Sequence, residues 1–302
     1  MMTLKFRNAL KAVRGSQPFN CVSTTVVKAV MSATGLQSEL VVKHLHRVGI
    51  VRVKLPNGRV LSLWSRGDDW ITNQVYWRGW SGYEPDTVPL FFRLSQRSQV
   101  TLDVGAYVGY YSLLAALANP SGQVYAFEPL NSIYRRLERN VALNQLSNIE
   151  CIASAVGEID GTAEFFHTEN ELPSCSTMSQ EFIKPWAASF QSSTVPIMTL
   201  DRFVREKHLS RVDLLKIDTE STEPDVLRGM HETLRRDRPS ILCEVLAGQG
   251  SEKTLAEILQ PLGYRFYLLT AEGPMLQDSI SGHPNCLNYL FTTLDANGVA
   301  RL

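Results

Sequence analysis

The stretch VTLDVGAYVGYYSLLAAL, Val100 to Leu117, holds a strand-like run that ends near Asp103, a glycine, a second glycine four positions on, and then an apolar helical pattern. A strand that turns through glycine into a helix opens a nucleotide-binding βα unit. A dinucleotide fingerprint needs three glycines, GxGxxG, so that a pyrophosphate can lie on backbone amides at the helix start. Only Gly105 and Gly109 are present here, and Asp103 precedes them. The ligand expected at this turn has no pyrophosphate and carries a cationic group.

Outward from the turn, QVYAFE, NIECIASAV, VDLLKID, SILCEVL, YRFYLL and NYLFTT read as six further strands, most of them separated by helical patterns. Strands alternating with helices mean βαβ units, and right-handed crossovers put helices on both faces of a mostly parallel sheet. The prediction is an α/β, Rossmann-like fold of seven strands. Asn131 or Ser132 is expected to cap one helix, and EPDVLRGMHETLRR to form another with Pro224 at its start. Asp160-Gly161 signals a tight turn into a short strand. The polar, aperiodic segment from His167 to Ser193 reads as a binding loop or lid.

Upstream, residues 1–98 read as an accessory segment of helices with basic faces, a hairpin at Asn57-Gly58 and an aromatic-rich cap around Trp70, Trp77, Trp80 and Tyr83. Residues 99–302 form the second expected domain. The run CVSTTVVKAVMSATGL is too short and too polar to span a bilayer. It leaves a packed surface helix and a peripheral membrane contact as alternatives.

Composition narrows the classes. Thirty basic and thirty acidic residues cancel to a net charge of +0, which argues against a nucleic-acid partner. The five cysteines form no CxxC pair and are odd in number, so reduced thiols and a cytoplasmic location are expected. The six histidines show no metal-ligand spacing, and no metal is expected. Nothing in the sequence encodes an oligomeric state.

In an open parallel sheet, ligands lie outside the carboxyl ends of the strands, where strand order reverses. The residues expected there are Asp103, Glu128, Ala155 or Val156, Asp218 and Glu244. Such a concentration of acids repels phosphates. Glu128 stands twenty-five positions after Asp103, where an acid commonly accepts bonds from ribose hydroxyls. A nucleoside with an amino-acid tail suits both acids, and S-adenosylmethionine is such a molecule.

LDVGAYVGYYSLLAA, VYAFEP, NVALN, SAVG and DLLKIDTESTEPDVLRG, in this order, resemble the FkbM-type family of S-adenosylmethionine-dependent methyltransferases. GDDWITNQVYWRGWSGYEP upstream and PSILCEV, GY and NYLF downstream extend the likeness from about residue 50 to about residue 295. The resemblance implies a class I methyltransferase sheet with an antiparallel last strand, in the domain spanning 99–302. It also implies O-methylation of a hydroxyl on a glycan or small-molecule acceptor. Asp103, Gly105, Ala106, Tyr107, Gly109, Glu128, Pro129 and Ala155 are the expected cofactor-binding residues, with Glu84 reaching toward the same cleft. Asp218 is the expected base or hydroxyl orienter, with Glu220 and Glu223 beside it.

The sequence departs from the family pattern at two places. Tyr107 stands where asparagine is frequent, and Ser221-Thr222 replaces a Gly-Ala pair. If that glycine serves a special backbone angle, Ser221 must adopt it at a cost. Two rival readings remain open at this point: an FkbM-like domain that binds the cofactor without turnover, and a nicotinamide-dependent oxidoreductase. The second lacks the third glycine and any Tyr-x-x-x-Lys pattern.

Overall fold

The computed structural model describes residues 16–35, 38–169, 172–173, 176–184, 189–284 and 286–302. Lys5, Arg7, Lys11, Arg14, Cys175 and parts of the segment from His167 to Ser193 lie outside the described residues. The chain divides into two compact units, Met1–Glu84 and Pro85–Leu302.

The first unit contains helices Gln17–Thr34, Glu39–His44 and Trp70–Arg78 around a hairpin of β1 (Val48–Lys54) and β2 (Val60–Arg66). The turn is the expected one: Gly58 has φ 84°, and its amide donates to the Leu55 carbonyl at 2.9 Å. Asp69 starts the third helix by accepting the Thr72 amide at 2.6 Å. The Trp77 indole donates to the Leu45 carbonyl at 2.8 Å, so this ring is part of the unit's internal fabric.

The second unit begins with helix Val88–Ser95, whose Phe91 meets Tyr111 edge to face. Twelve strands follow: β3 (Val100–Val104), β4 (Gln123–Phe127), β5 (Ile149–Ile152), β6 (Ala155–Val156), β7 (Gly161–His167), β8 (Ser176–Thr177), β9 (Gln191–Met198), β10 (Leu214–Ile217), β11 (Ser240–Glu244), β12 (Arg265–Thr270), β13 (Gly273–Gln277) and β14 (Asn288–Thr292). The main sheet has the order β13-β12-β14-β11-β10-β3-β4-β5. Five strands, β5, β4, β3, β10 and β11, run parallel. β14 is antiparallel to both β11 and β12. Order reverses between β3 and β10, which makes their carboxyl ends the place for a ligand.

The expected seven strands become eight. The addition is β13, folded back on β12 through a turn in which Gly273 has φ 107° and its carbonyl accepts the Thr270 hydroxyl at 2.9 Å. β13 is an edge strand containing Pro274, with Met275 and Leu276 half exposed, so it lacks the alternating burial that makes a strand legible.

NIECIASAV, expected as one strand, is two. The main-sheet strand stops at Ile152, and the Ser154 hydroxyl donates to the carbonyls of Ala155 and Pro196 at 2.8 and 3.2 Å. That turn carries Ala155 and Val156 into a separate four-stranded sheet, β6-β9-β7-β8. Ala155 therefore does not end a strand of the main sheet. The strand expected after Asp160-Gly161 is β7.

Helix Asn131–Leu143 starts after Leu130 with no side-chain cap, so neither Asn131 nor Ser132 fills that role. EPDVLRGMHETLRR splits into Glu223–Arg228 and His231–Asp237. The break has a cause in Asp201, whose carboxylate accepts the amides of Glu232 and Thr233, each at 2.8 Å, and so starts a new helix. Gly229 also lies so close to Gly157 that a Cβ there would sit 2.0 Å from the Gly157 carbonyl oxygen.

One face of the parallel strands is apolar: Leu102, Val104, Leu215, Ile217, Ile241 and Cys243 belong to the main core. The register sets Lys216 opposite Asp103, so these two polar residues share the other face. Among the described residues, no helix is long and apolar enough to cross a membrane.

Candidate active site

The turn after β3 is shaped by its glycines. Gly105 has φ 81°, and a Cβ on it would lie 1.8 Å from the Asp218 carbonyl oxygen. Only glycine lets the end of β3 pass that close to the end of β10. The amides of Gly105 and Ala106 both donate to the Phe127 carbonyl, at 3.1 and 2.9 Å. They are thereby turned toward β4, unlike the free amides of a phosphate cradle. Ala106 is buried against Ala126 and Leu137. Gly109 has φ 88° and precedes helix Tyr110–Ala118, and a Cβ there would meet Leu137 Cδ1 at 2.4 Å.

Tyr107 has φ 50°. Asparagine tolerates that left-handed angle better than most residues, so tyrosine at this position carries backbone strain. Its amide donates to Glu128 Oε2 at 3.2 Å.

Glu128 follows the last residue of β4 and is 4% exposed. Its other oxygen accepts the Leu130 amide at 2.9 Å. Burial pushes this carboxyl up to about 8, against the two amide bonds that favour its ionised form, with Asp103 adding a smaller upward push. The amides leave each oxygen with one acceptor position for a ligand's hydroxyls. Pro129 lies half-buried between Glu128 and Leu130.

Asp103 is buried at 1% exposure and accepts the Ser112 hydroxyl at 2.5 Å. This bond ties β3 to the helix that follows it. Burial raises Asp103 to about 6, while Ser112 and Lys216 pull it down and Asp218 raises it.

Asp218 stands just past β10, its amide donating to the Val104 carbonyl at 3.0 Å. Its side chain is 26% exposed, and Oδ2 accepts the Lys216 ammonium at 3.2 Å. Lys216 itself is fully buried, lying 5.1 Å from the centre of the Tyr111 ring. From the sequence, Lys216 and Arg228 are the candidate structural partners of Asp218, and the pair formed is with Lys216. The signal was a charged residue inside the otherwise apolar strand VDLLKID, since lysine is almost never fully buried unless paired.

The next turn gathers the remaining acids. Glu220 is half-buried with φ 54°, and its carbonyl accepts the Thr177 hydroxyl at 2.7 Å. Burial raises Glu220 to about 8, helped by Asp218 and Glu223 and opposed by Lys216. Glu223, 3% exposed, closes the turn: its Oε1 accepts the amides of Thr219 and Ser221 at 3.3 and 3.1 Å and the Thr219 hydroxyl at 3.1 Å. Burial is the main cause that raises Glu223. Ser221 has φ 86°, an angle suited to glycine, and its hydroxyl oxygen is buried with no hydrogen-bond partner among the described residues.

The structure thus brings Asp103, Gly105, Ala106, Tyr107 and Glu128 together around the β3 turn, and sets Asp218, Glu220 and Glu223 in succession after β10. Ala155 lies in the small sheet, 5% exposed. Glu84 is the last residue of the first unit, with φ 45°. Glu244 ends β11 opposite Asn288. Among the described residues, no group of three or more His, Cys, Asp or Glu side chains is arranged to hold a metal ion.

The donor set suits a cationic nucleoside: five carboxylates, Asp103, Glu128, Asp218, Glu220 and Glu223, stand at or just after β3, β4 and β10, Lys216 among them is buried, and the glycine-turn amides are already bonded. The family described as the methyltransferase FkbM domain matches residues 103–266. Methyltransferase 1 of Beauveria bassiana is 26% identical over 178 residues, covering 54% of this chain and 71% of its own. The antimetabolite synthetase AmbE of Pseudomonas aeruginosa is 28% identical over 199 residues; the match covers 55% of this chain but only 9% of that protein. Among solved structures, an FkbM methyltransferase from Methylobacillus flagellatus aligns at 15% identity and a TM-score of 0.43, over 65% of this chain and 43% of that one.

Proposed function

The chain belongs to the FkbM methyltransferase family, and on that premise we propose that it moves a methyl group from S-adenosylmethionine to the oxygen of a hydroxyl on a glycan or small metabolite. Glu128 is the residue for the ribose hydroxyls. Asp103, behind the turn, holds the β3 end in register through Ser112, and Gly105 and Ala106 form the floor beside the methionine part. Pro129 and Tyr107 border the nucleoside. When bound, S-adenosylmethionine supplies an electrophilic methyl on a cationic sulfur.

The acceptor hydroxyl is too weak an acid to ionise beforehand. Asp218 takes its proton while the carbon–oxygen bond forms and the carbon–sulfur bond breaks, a contribution of about 10²–10⁴-fold. Placing the acceptor in line with the methyl contributes more, roughly 7–11 kcal/mol of the barrier. The observation that carries this reading is the position of Asp218. It is a partly exposed carboxylate at the β3/β10 reversal, its backbone touches the Gly105 turn, and Lys216 pairs with it and orients it. Glu223 spends its carboxylate on its own turn, which leaves Glu220 as the reserve. Calorimetry with S-adenosylmethionine and with NAD, followed by a methyl-transfer screen over glycan and small-metabolite acceptors, tests the proposal. Preference for NAD would end it.

A further inference from the structure

Helix Gln17–Thr34 turns its polar side toward its own unit. Asn20 and Thr24 are its buried residues. Asn20 donates to the His46 carbonyl at 2.9 Å and accepts the Val48 amide at 2.7 Å. Arg47 donates to the Cys21 carbonyl and the Thr24 hydroxyl, each at 2.7 Å. Lys28 donates to the Tyr76 carbonyl and lies over that ring at 4.5 Å. These bonds fix the rotation of the helix about its axis.

The opposite side is therefore committed to the outside, and it is apolar. Phe19, Val22, Val26 and Val30 are 55, 64, 56 and 54% exposed. Their spacing of three, four and four residues lines them along one stripe. A surface helix ordinarily buries such a stripe and exposes its polar side. A contiguous exposed apolar stripe marks a partner.

Charge selects the partner. Residues 1–38 contain no aspartate or glutamate, and Lys5, Arg7, Lys11 and Arg14 precede the helix in sequence, in a chain whose net charge is +0. A second copy would add the same unbalanced positive charge and offset none of it. A bilayer with anionic headgroups brings these cations to opposite charge while its acyl boundary takes the apolar side chains. We propose that the exposed face of helix Gln17–Thr34, with the cations before it in sequence, seats the chain on an anionic phospholipid surface. This places the unit on the membrane rather than across it, and it is independent of the methyltransferase chemistry.

The test is sedimentation of the full chain with vesicles of phosphatidylcholine alone and of phosphatidylcholine with phosphatidylglycerol. Binding is expected with the anionic vesicles, to weaken with added salt, and to be weak with phosphatidylcholine alone. Phe19→Ser/Val22→Ser/Val26→Ser should lose roughly a hundredfold in affinity, from the apolar area removed. Val26→Asp alone, at an exposed position, should lose about tenfold and guards against misfolding of the triple variant. Lys11→Glu/Arg14→Glu should weaken binding to anionic vesicles. Equal binding by the wild type and Val26→Asp, equal binding to both vesicle types, or a stripe-dependent dimer that binds neither would each overturn the proposal.

Discussion

Ser221 pays for its place in the turn after β10. A side chain at φ 86° is strained, and its buried hydroxyl makes no hydrogen bond among the described residues. Ser221→Gly should remove both costs and stabilise the chain by about 1 kcal/mol, read as a raised denaturant midpoint. A lowered midpoint would mean the hydroxyl has a partner that outweighs the strain. Glu128 gives the sharper test of binding. With both oxygens aimed by backbone amides, Glu128→Ala should weaken S-adenosylmethionine by about 1.5–3 kcal/mol in calorimetry. Unchanged affinity would remove Glu128 from the ribose. The need for a special angle at position 221 was legible from the Ser-for-Gly departure. Lys216 was legible as a candidate partner of Asp218, but its complete burial was not, because a lone lysine in an apolar strand gives no measure of its depth.

At the scale of elements, the turn from Thr219 to Ser221 is held by one carboxylate, Glu223, at the start of helix Glu223–Arg228. Glu223→Ala leaves two amides without their acceptor and should cost about 1–3 kcal/mol in chemical denaturation. Glu223→Gln keeps an acceptor oxygen and should cost less. Equal loss in both variants would show that the charge, not the acceptor, holds the turn. The parallel strands were legible because each is a short apolar run ending in an acid or a turn. β13 was not, since an exposed edge strand with a proline has no apolar rhythm. The breaks at Ser154 and at Gly229 were hidden for another reason. Each is imposed from a distance in sequence, by Pro196 and β9 in one case and by Asp201 in the other. Local periodicity carries no record of such partners.

Across the whole molecule, the buried acids make stability depend on pH. Burial holds Asp103 at about 6 and Glu128 and Glu220 at about 8, against ordinary values of 3.8 for Asp and 4.5 for Glu. The folded chain therefore keeps protons that the unfolded chain has already released. The stability from these groups is fully present below about pH 4 and is lost as pH rises through about 6 and then about 8. The melting temperature should fall between about pH 4 and about pH 8 and level off above that, and Glu128→Gln should flatten part of that fall. An unchanged slope in the variant would mean that Glu128 is ionised in the fold throughout. In the proposed mechanism the sheet reversal sets buried acids behind the turn and the partly exposed Asp218, paired with Lys216, at its edge. Asp218→Asn is the most direct test of that division. Asparagine keeps the shape but cannot accept the hydroxyl proton, so methyl transfer to the screened acceptor should collapse while calorimetry finds S-adenosylmethionine still bound. Near-normal turnover, or loss of the cofactor itself, would contradict the role assigned to Asp218.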